Sequence, residues 1–366
     1  MNTRTAWAVG LIGMALVAVQ SFGLGDGQDF RTLYDSARLG ASLSMRGHFT
    51  GDLSPGGLDV LCIPPFGPVF RAFGLWTLPL GFEGALMLFR IACLGAISLL
   101  AWYCRSPLLL IVAPLCPEYV WALKVGNITA LQAPLIWLAV SMAGGVAWLR
   151  IPKPIPAAIL FGGISALKPS LLPVGLIFLF LGWRAVLAMG LAFAVPIALC
   201  LVALPGETMA GWWAGLTGLM SNPFTASPAN VSIPGLMLRA QGYHFGSEIP
   251  AHVASLCNLA AAGILGIGAI AAWAYAASGP ATIGAVLACA ACLAGPASWY
   301  HYPTIMLCAL TCVATATPSG IAALVLTVTV MNGDGHLIGT GLAPWPTLGL
   351  ALLFACWIWI AREESK

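Results

Sequence analysis

Apolar residues fill the chain in windows of about 20, the length a helix needs to cross a bilayer. These windows fall at 5–24, 82–103, 107–123, 128–149, 185–204, 249–276, 281–296, 303–316, 320–331 and 344–361. A further apolar run over 155–183 is interrupted by Lys168-Pro169 and Pro173 and reads as two short helices meeting at a break. The pattern predicts an all-α polytopic membrane protein with about twelve transmembrane helices. The first window is read as an uncleaved helix rather than a signal peptide. Polar residues concentrate in a few connecting loops, and function is sought there or in cavities between helices.

Composition narrows the alternatives. The chain has 366 residues, 60% hydrophobic and 7% charged, with mean hydropathy +0.94. A soluble domain carries roughly 25% charged residues. No polar stretch is long enough for a separate soluble unit, so 1–366 reads as a single membrane-embedded domain. The formal charge of +3 is spread thinly, which excludes the clustered basic face that nucleic acid requires. Cys289 and Cys292, and likewise Cys308 and Cys312, lie in Ala/Leu runs, where cysteine packs as a small hydrophobe.

Charge then orients the spans. With Arg4 inside, alternation places Arg105, Arg150, Lys153, Arg184, Arg362 and Lys366 on the same side, as the positive-inside rule expects. Of the twelve acids only Glu363 and Glu364 share it. Both termini are expected in the cytoplasm, and the outward loops are 25–81, 205–248 and 332–343. Smaller outward turns lie at 124–127 and 298–302.

The first outward loop has helical period from Phe30 to Arg46. Arg31, Asp35, Arg38, Ser42 and Arg46 form one polar stripe opposite Phe30, Leu33, Tyr34, Ala37, Ala41 and Met45. Such a helix suits the membrane interface, with arginines at headgroup or phosphate level. Asp29 precedes it, where a carboxylate serves as N-cap or, beside basic residues in a partly enclosed site, as a general base. Residues 66–80 form a second apolar segment, expected as another interfacial helix.

Charges at membrane depth usually face a cavity or a partner. Arg90, Glu118, Lys124, Lys168 and Arg239 are such charges, each either an ion-pair member or a ligand contact. Lys168 is the most informative, because unwound backbone at a proline break is tolerated only inside protein or along a cavity. Its bland readings are snorkelling or pairing with Glu118. Trp299 and Tyr302 suit an aromatic belt, and His301 alone reads as a structural histidine. Gathered on one face with Asp29 and Lys168, these groups suit a sugar and phosphate site.

The ordered set Asp29-Phe30 with Tyr34, Ile63-Pro64-Pro65, Gly126-Asn127, Leu167-Lys168-Pro169, Asn230-Val231-Ser232 and Trp299-Tyr300-His301-Tyr302 resembles glycosyltransferase family 87. Departures from that family's pattern fall at Ile63, Asn127 and Val231. The resemblance implies a GT-C-type fold and a polyprenyl-phosphate-linked donor of mannose or a related sugar. It implies Asp29 as catalytic base, Lys168 and His301 on the donor phosphate or sugar, and Asn127 and Asn230 lining the cavity. Arg31, Arg239 and Tyr34 are added as donor-binding candidates, and Ser232, Trp299 and Tyr302 as cavity-lining ones.

The chemistry agrees with this set. A lipid monophosphate leaves without a general acid, so one base and cations on the phosphate suffice, and no metal or other cofactor is expected. A glycosidase needs two flanking carboxylates; an enzyme using a nucleotide-sugar often has an Asp-x-Asp pair, which this chain lacks. The expected partners are the donor lipid, a glycan or glycolipid acceptor, and the bilayer of a bacterial plasma membrane, with the active site on the outer face. The competing readings are a secondary transporter, since a lysine at a broken helix is also a transporter feature, and a non-enzymatic lipid-binding scaffold.

Overall fold

The computed structural model describes residues 3–22, 27–39, 68–144, 152–204, 223–227, 230–244, 247–295, 304–312, 318–331 and 345–366. Among these, regular structure is helical throughout, with no strand. In chain order the helices are α1 (Thr3–Phe22), α2 (Gln28–Leu39), α3 (Pro68–Gly74), α4 (Gly81–Tyr103), α5 (Leu108–Val112), α6 (Pro117–Val125), α7 (Thr129–Gly144) and α8 (Pro154–Leu167). They continue as α9 (Trp183–Ala203), α10 (Ile233–Ala240), α11 (Ala251–Ala274), α12 (Pro280–Ala294), α13 (Thr304–Ala309), α14 (Pro318–Met331) and α15 (Trp345–Glu364).

Among the described residues, four helical runs are long and apolar enough to cross a membrane: Thr3–Phe22, Val69–Tyr103, Trp183–Ala203 and Ala251–Ala274. A fifth arises if Leu108–Leu115 and Pro117–Val125, bent by 79°, count as one broken span. That is fewer than the twelve expected from hydropathy. Shorter apolar helices such as Thr129–Gly144, Pro154–Leu167, Pro169–Leu181 and Pro280–Ala294 carry much of the remaining apolar sequence. The last three of these begin at a proline, which lacks the N–H and clashes with a preceding helical turn, so each is cut off from the segment before it. The segment expected as a second interfacial helix runs on into α4 as one apolar stretch, Val69–Tyr103, changing winding at Leu75–Leu80.

Burial separates inner helices from outer ones. Every residue of α12 from Thr282 to Ala294 is buried, as is most of α7, and Trp137 of α7 donates its indole N–H to the Ile305 carbonyl of α13. The outer helix α9 instead exposes Leu187, Leu191, Val195, Leu199 and Val202, an apolar surface suited to lipid. It packs closely on α8, where a Cβ at Gly162 would collide with the Met189 carbonyl. Small residues give this approach between membrane helices.

Two local features position the polar groups. Lys168 is extended (φ −153°, ψ 105°) between α8 and the 3-10 segment Pro169–Leu181, because a residue before proline is driven out of the helical region. Helix α6 ends at Gly126 in the left-handed region (φ 71°). There the Asn127 N–H donates to the Ala122 carbonyl at 2.8 Å and the Gly126 N–H to that of Leu123 at 3.2 Å, which is a Schellman cap. Arg90 of α4 completes it, donating through Nε to the Leu123 carbonyl at 3.1 Å and through its second amino group to that of Lys124. A guanidinium at a helix C-terminus satisfies orphan carbonyls and complements the dipole. Arg90 therefore anchors the turn on which Asn127 sits.

Candidate functional site

Helix α2 begins two residues earlier than its period suggests. Gly27, at φ 63°, accepts the Arg31 N–H at 2.8 Å and so occupies the N-cap position. Asp29 lies in the first helical turn, not at the cap, so the expected capping role is replaced. Its carboxylate is taken up across the chain, where Asn127 Nδ2 donates to Asp29 Oδ2 at 2.6 Å. Close packing makes this contact possible, with Phe30 buried against Phe82 and Phe89 at ring distances of 5.9 and 5.2 Å.

Asn127 is held from its other side by the Thr129 N–H, which donates to Asn127 Oδ1 at 2.9 Å. Thr129 Oγ1 accepts from Lys168 Nζ at 3.0 Å, and Lys168 interacts electrostatically with Asp29. Gln132 donates to the Lys168 backbone carbonyl at 2.6 Å. The structure thus brings Asp29, Asn127 and Lys168 together at the junction of α2, α6, α7 and the α8 break. Thr129 and Gln132 belong to the same group and were not singled out from sequence. The available signal was two polar residues in the first turn of an otherwise apolar helix.

Other expected residues lie elsewhere. Arg31 is exposed, its guanidinium 4.5 Å from the Phe82 ring centroid, and Tyr34 packs edge-on against the same ring at 5.7 Å. Asn230, Ser232 and Arg239 form a second cluster at the start of α10. Asn230 donates to the Thr225 carbonyl at 2.9 Å and accepts the Ser232 N–H at 3.0 Å. Ser232 caps α10 through the Gly235 N–H at 3.1 Å. Arg239 donates to the carbonyls of Ser227 and Asn230 at 2.7 and 3.0 Å. These bonds build the turn itself. Lys124 sits 4.8 Å from the Trp121 ring centroid. Trp299, His301 and Tyr302, together with Ile63-Pro64-Pro65, Ser42, Arg46 and the loop 332–343, lie outside the described residues.

The polar stripe of α2 is also revised. Arg31 and Arg38 are exposed, but Asp35 is 3% exposed and pairs with Arg38 at 3.6 Å. Long arginines reach water along their stems; the short aspartate at the stripe's centre does not. Burial pushes the Asp35 carboxyl up, opposed by the Arg38 and Arg31 charges. The folded chain then holds this proton more tightly than the unfolded one, so the contribution of Asp35 to stability falls as pH rises. Asp35→Asn is expected to raise the thermal midpoint at pH 8 and to leave it nearly unchanged at pH 4, as a melting series in detergent would read.

Residues 54–296 match the model of glycosyltransferase family 87. The matched stretch contains Asn127, Lys168, Asn230, Ser232 and Arg239, and leaves Asp29, Arg31, Tyr34, Trp299, His301 and Tyr302 outside it. No curated protein and no solved structure matches the chain.

Proposed function

The chain belongs to glycosyltransferase family 87 and is a membrane glycosyltransferase; from that premise we propose that it transfers mannose or a related sugar from a polyprenyl-phosphate donor to a hydroxyl of a glycan or glycolipid, with Asp29 as base. The observation that carries the reading is the 2.6 Å bond from Asn127 to Asp29, within a polar cluster walled by apolar helices. A base must be held at fixed geometry beside the hydroxyl it deprotonates, and Asn127 supplies that restraint.

In the step, the acceptor oxygen attacks the anomeric carbon and its proton passes to Asp29. The bond from that carbon to the phosphate oxygen breaks, and the lipid phosphate leaves with the electron pair. The new bond forms on the face opposite the leaving group, so configuration inverts. Cations at the outer surface stabilise the departing phosphate, the term expected to dominate in such transfers. Arg31, exposed on the interfacial helix, is placed to contribute, and His301 is retained as a second partner.

Charge supports an outward site, since Arg105, Arg184 and Arg362 mark the opposite, cytoplasmic side by the positive-inside rule. The Asp29 cluster lies at the N-terminal end of α7, the end that alternation directs outward.

Purified protein in lipid nanodiscs, offered radiolabelled sugar either on a polyprenyl phosphate or on a nucleotide, tests the donor class. Transfer from the lipid-linked sugar alone is expected. Direct transfer from the nucleotide sugar would overturn the donor assignment, and uptake without transfer would favour a transporter.

A further inference from the structure

Lys168 is fully buried, at 0% exposure, and both its ends are tied to α7. Its ammonium donates to Thr129 Oγ1 at 3.0 Å, and its own carbonyl accepts from Gln132 Nε2 at 2.6 Å. Thr129 and Gln132 are three residues apart and share one helix face. Proline 169 holds the Lys168 backbone extended, which fits the side chain to this seat rather than to the continuation of α8.

Thr129 faces two ways. Its backbone N–H occupies Asn127 Oδ1 at 2.9 Å. An amide whose oxygen is engaged by a donor presents its NH2 group at the other position, and here that group meets Asp29 Oδ2. Its hydroxyl meanwhile seats the ammonium. A buried charge is tolerated where an opposite charge and hydrogen bonds compensate it, and the bonds from Lys168 Nζ to Thr129 Oγ1, Thr129 N–H to Asn127 Oδ1 and Asn127 Nδ2 to Asp29 Oδ2 link the ammonium to that carboxylate through two residues.

We propose that Thr129 is a positioning residue for the base: through its hydroxyl it seats Lys168 as the inner counter-charge of Asp29, so that Lys168 acts on that carboxylate from within the protein and not on the donor phosphate. The proposal rests on the reading of Asp29 as base. It assigns to Lys168 a role other than the one the family resemblance implies. An ammonium held within the protein favours the ionised form of the carboxylate and fixes it in place. Phosphate binding then falls to groups nearer the surface.

The test compares Thr129→Val, Thr129→Ser and Lys168→Met in nanodiscs, reading kcat, the KM for the lipid-linked sugar, and equilibrium binding of plain polyprenyl monophosphate. Loss of one positioning hydrogen bond predicts a kcat about tenfold lower for Thr129→Val at unchanged donor KM. Thr129→Ser, which keeps the hydroxyl, restores most of it. Lys168→Met lowers kcat and retains polyprenyl monophosphate binding. Should Thr129→Val fail to fold by size exclusion, Thr129→Ala removes the same hydroxyl with less crowding and carries the same expectation.

Wild-type kcat in the variant without the hydroxyl overturns the positioning role. Loss of polyprenyl monophosphate binding in Lys168→Met returns Lys168 to the phosphate. Asp29→Asn run alongside separates the two levels. If it transfers at the wild-type rate, the base assignment itself fails; if it is inactive while Thr129→Val is normal, only the positioning proposal fails.

Discussion

Asp29→Asn is expected to leave a folded protein whose kcat for sugar transfer is lower by at least about 100-fold, the lower end of what a positioned general base contributes. The amide is nearly isosteric with the carboxylate, and its oxygen still accepts from Asn127 Nδ2, now 2.6 Å from Asp29 Oδ2. The packing of Phe30 against Phe82 and Phe89 is untouched. What disappears is the negative charge, and with it the capacity to take a proton from the acceptor. A modest drop in thermal midpoint should accompany the loss, since the buried Lys168 ammonium no longer has Asp29 as counter-charge. Asp29→Glu keeps the charge but lengthens the side chain by a methylene, and intermediate activity is expected. Steady-state transfer assays on the three proteins, each checked for monodispersity, measure the series.

Gly126→Ala should be the most damaging of single small substitutions near the site. The backbone there is left-handed, at φ 71°, and an added Cβ would lie 2.5 Å from Phe30 Cβ and 3.0 Å from Leu86 Cδ1. Left-handed backbone costs an L-residue about 1–2 kcal/mol. Overpacking a tight contact costs about 1–3 kcal/mol more. The combined loss is roughly 2–5 kcal/mol, and because Asn127 is the next residue, relief of the clash pulls the amide away from Asp29. Activity therefore falls along with stability. Gly126→Asn distinguishes the two causes, since asparagine tolerates the left-handed region but carries the same Cβ. Thermal unfolding and transfer rates should show it still impaired; full recovery with asparagine would mean that backbone strain alone explains the glycine.

The three residues that converge, Asp29, Asn127 and Lys168, were each visible in the sequence for a local reason: a carboxylate at the start of an amphipathic segment, an amide in a polar turn, a lysine before a proline. Their convergence was not, because 98 residues separate Asp29 from Asn127 and periodicity carries no information on which helix ends meet. Arg90 illustrates the same gap. A mid-helix arginine reads equally as ion pair or ligand contact until the carbonyls 33 and 34 residues away are seen beneath it. Thr129 and Gln132 were missed because neutral polar residues in an apolar helix raise no charge signal.

Details of the structure have physical causes too. A wheel drawn at a fixed angle puts Asp35 among solvent-facing arginines, whereas side-chain length decides which of them reaches water. The count of about twelve spans treats each apolar window as a crossing; among the described residues four helical runs have the length for one, and the run over 108–125 is bent by 79° at Cys116 between prolines. Asn230 and Ser232, expected as cavity groups, also make hydrogen bonds within the turn that starts α10. The all-helical membrane class, by contrast, follows from composition alone.

The central claim is that a single carboxylate, Asp29, drives direct displacement of a lipid phosphate. The anomeric configuration of the first-formed product, read by NMR one-bond carbon–proton coupling from a donor of defined anomer, tests it most directly. Inversion is the result that one base and one displacement require. Retention would demand a second displacement through a covalent sugar intermediate and would contradict the account.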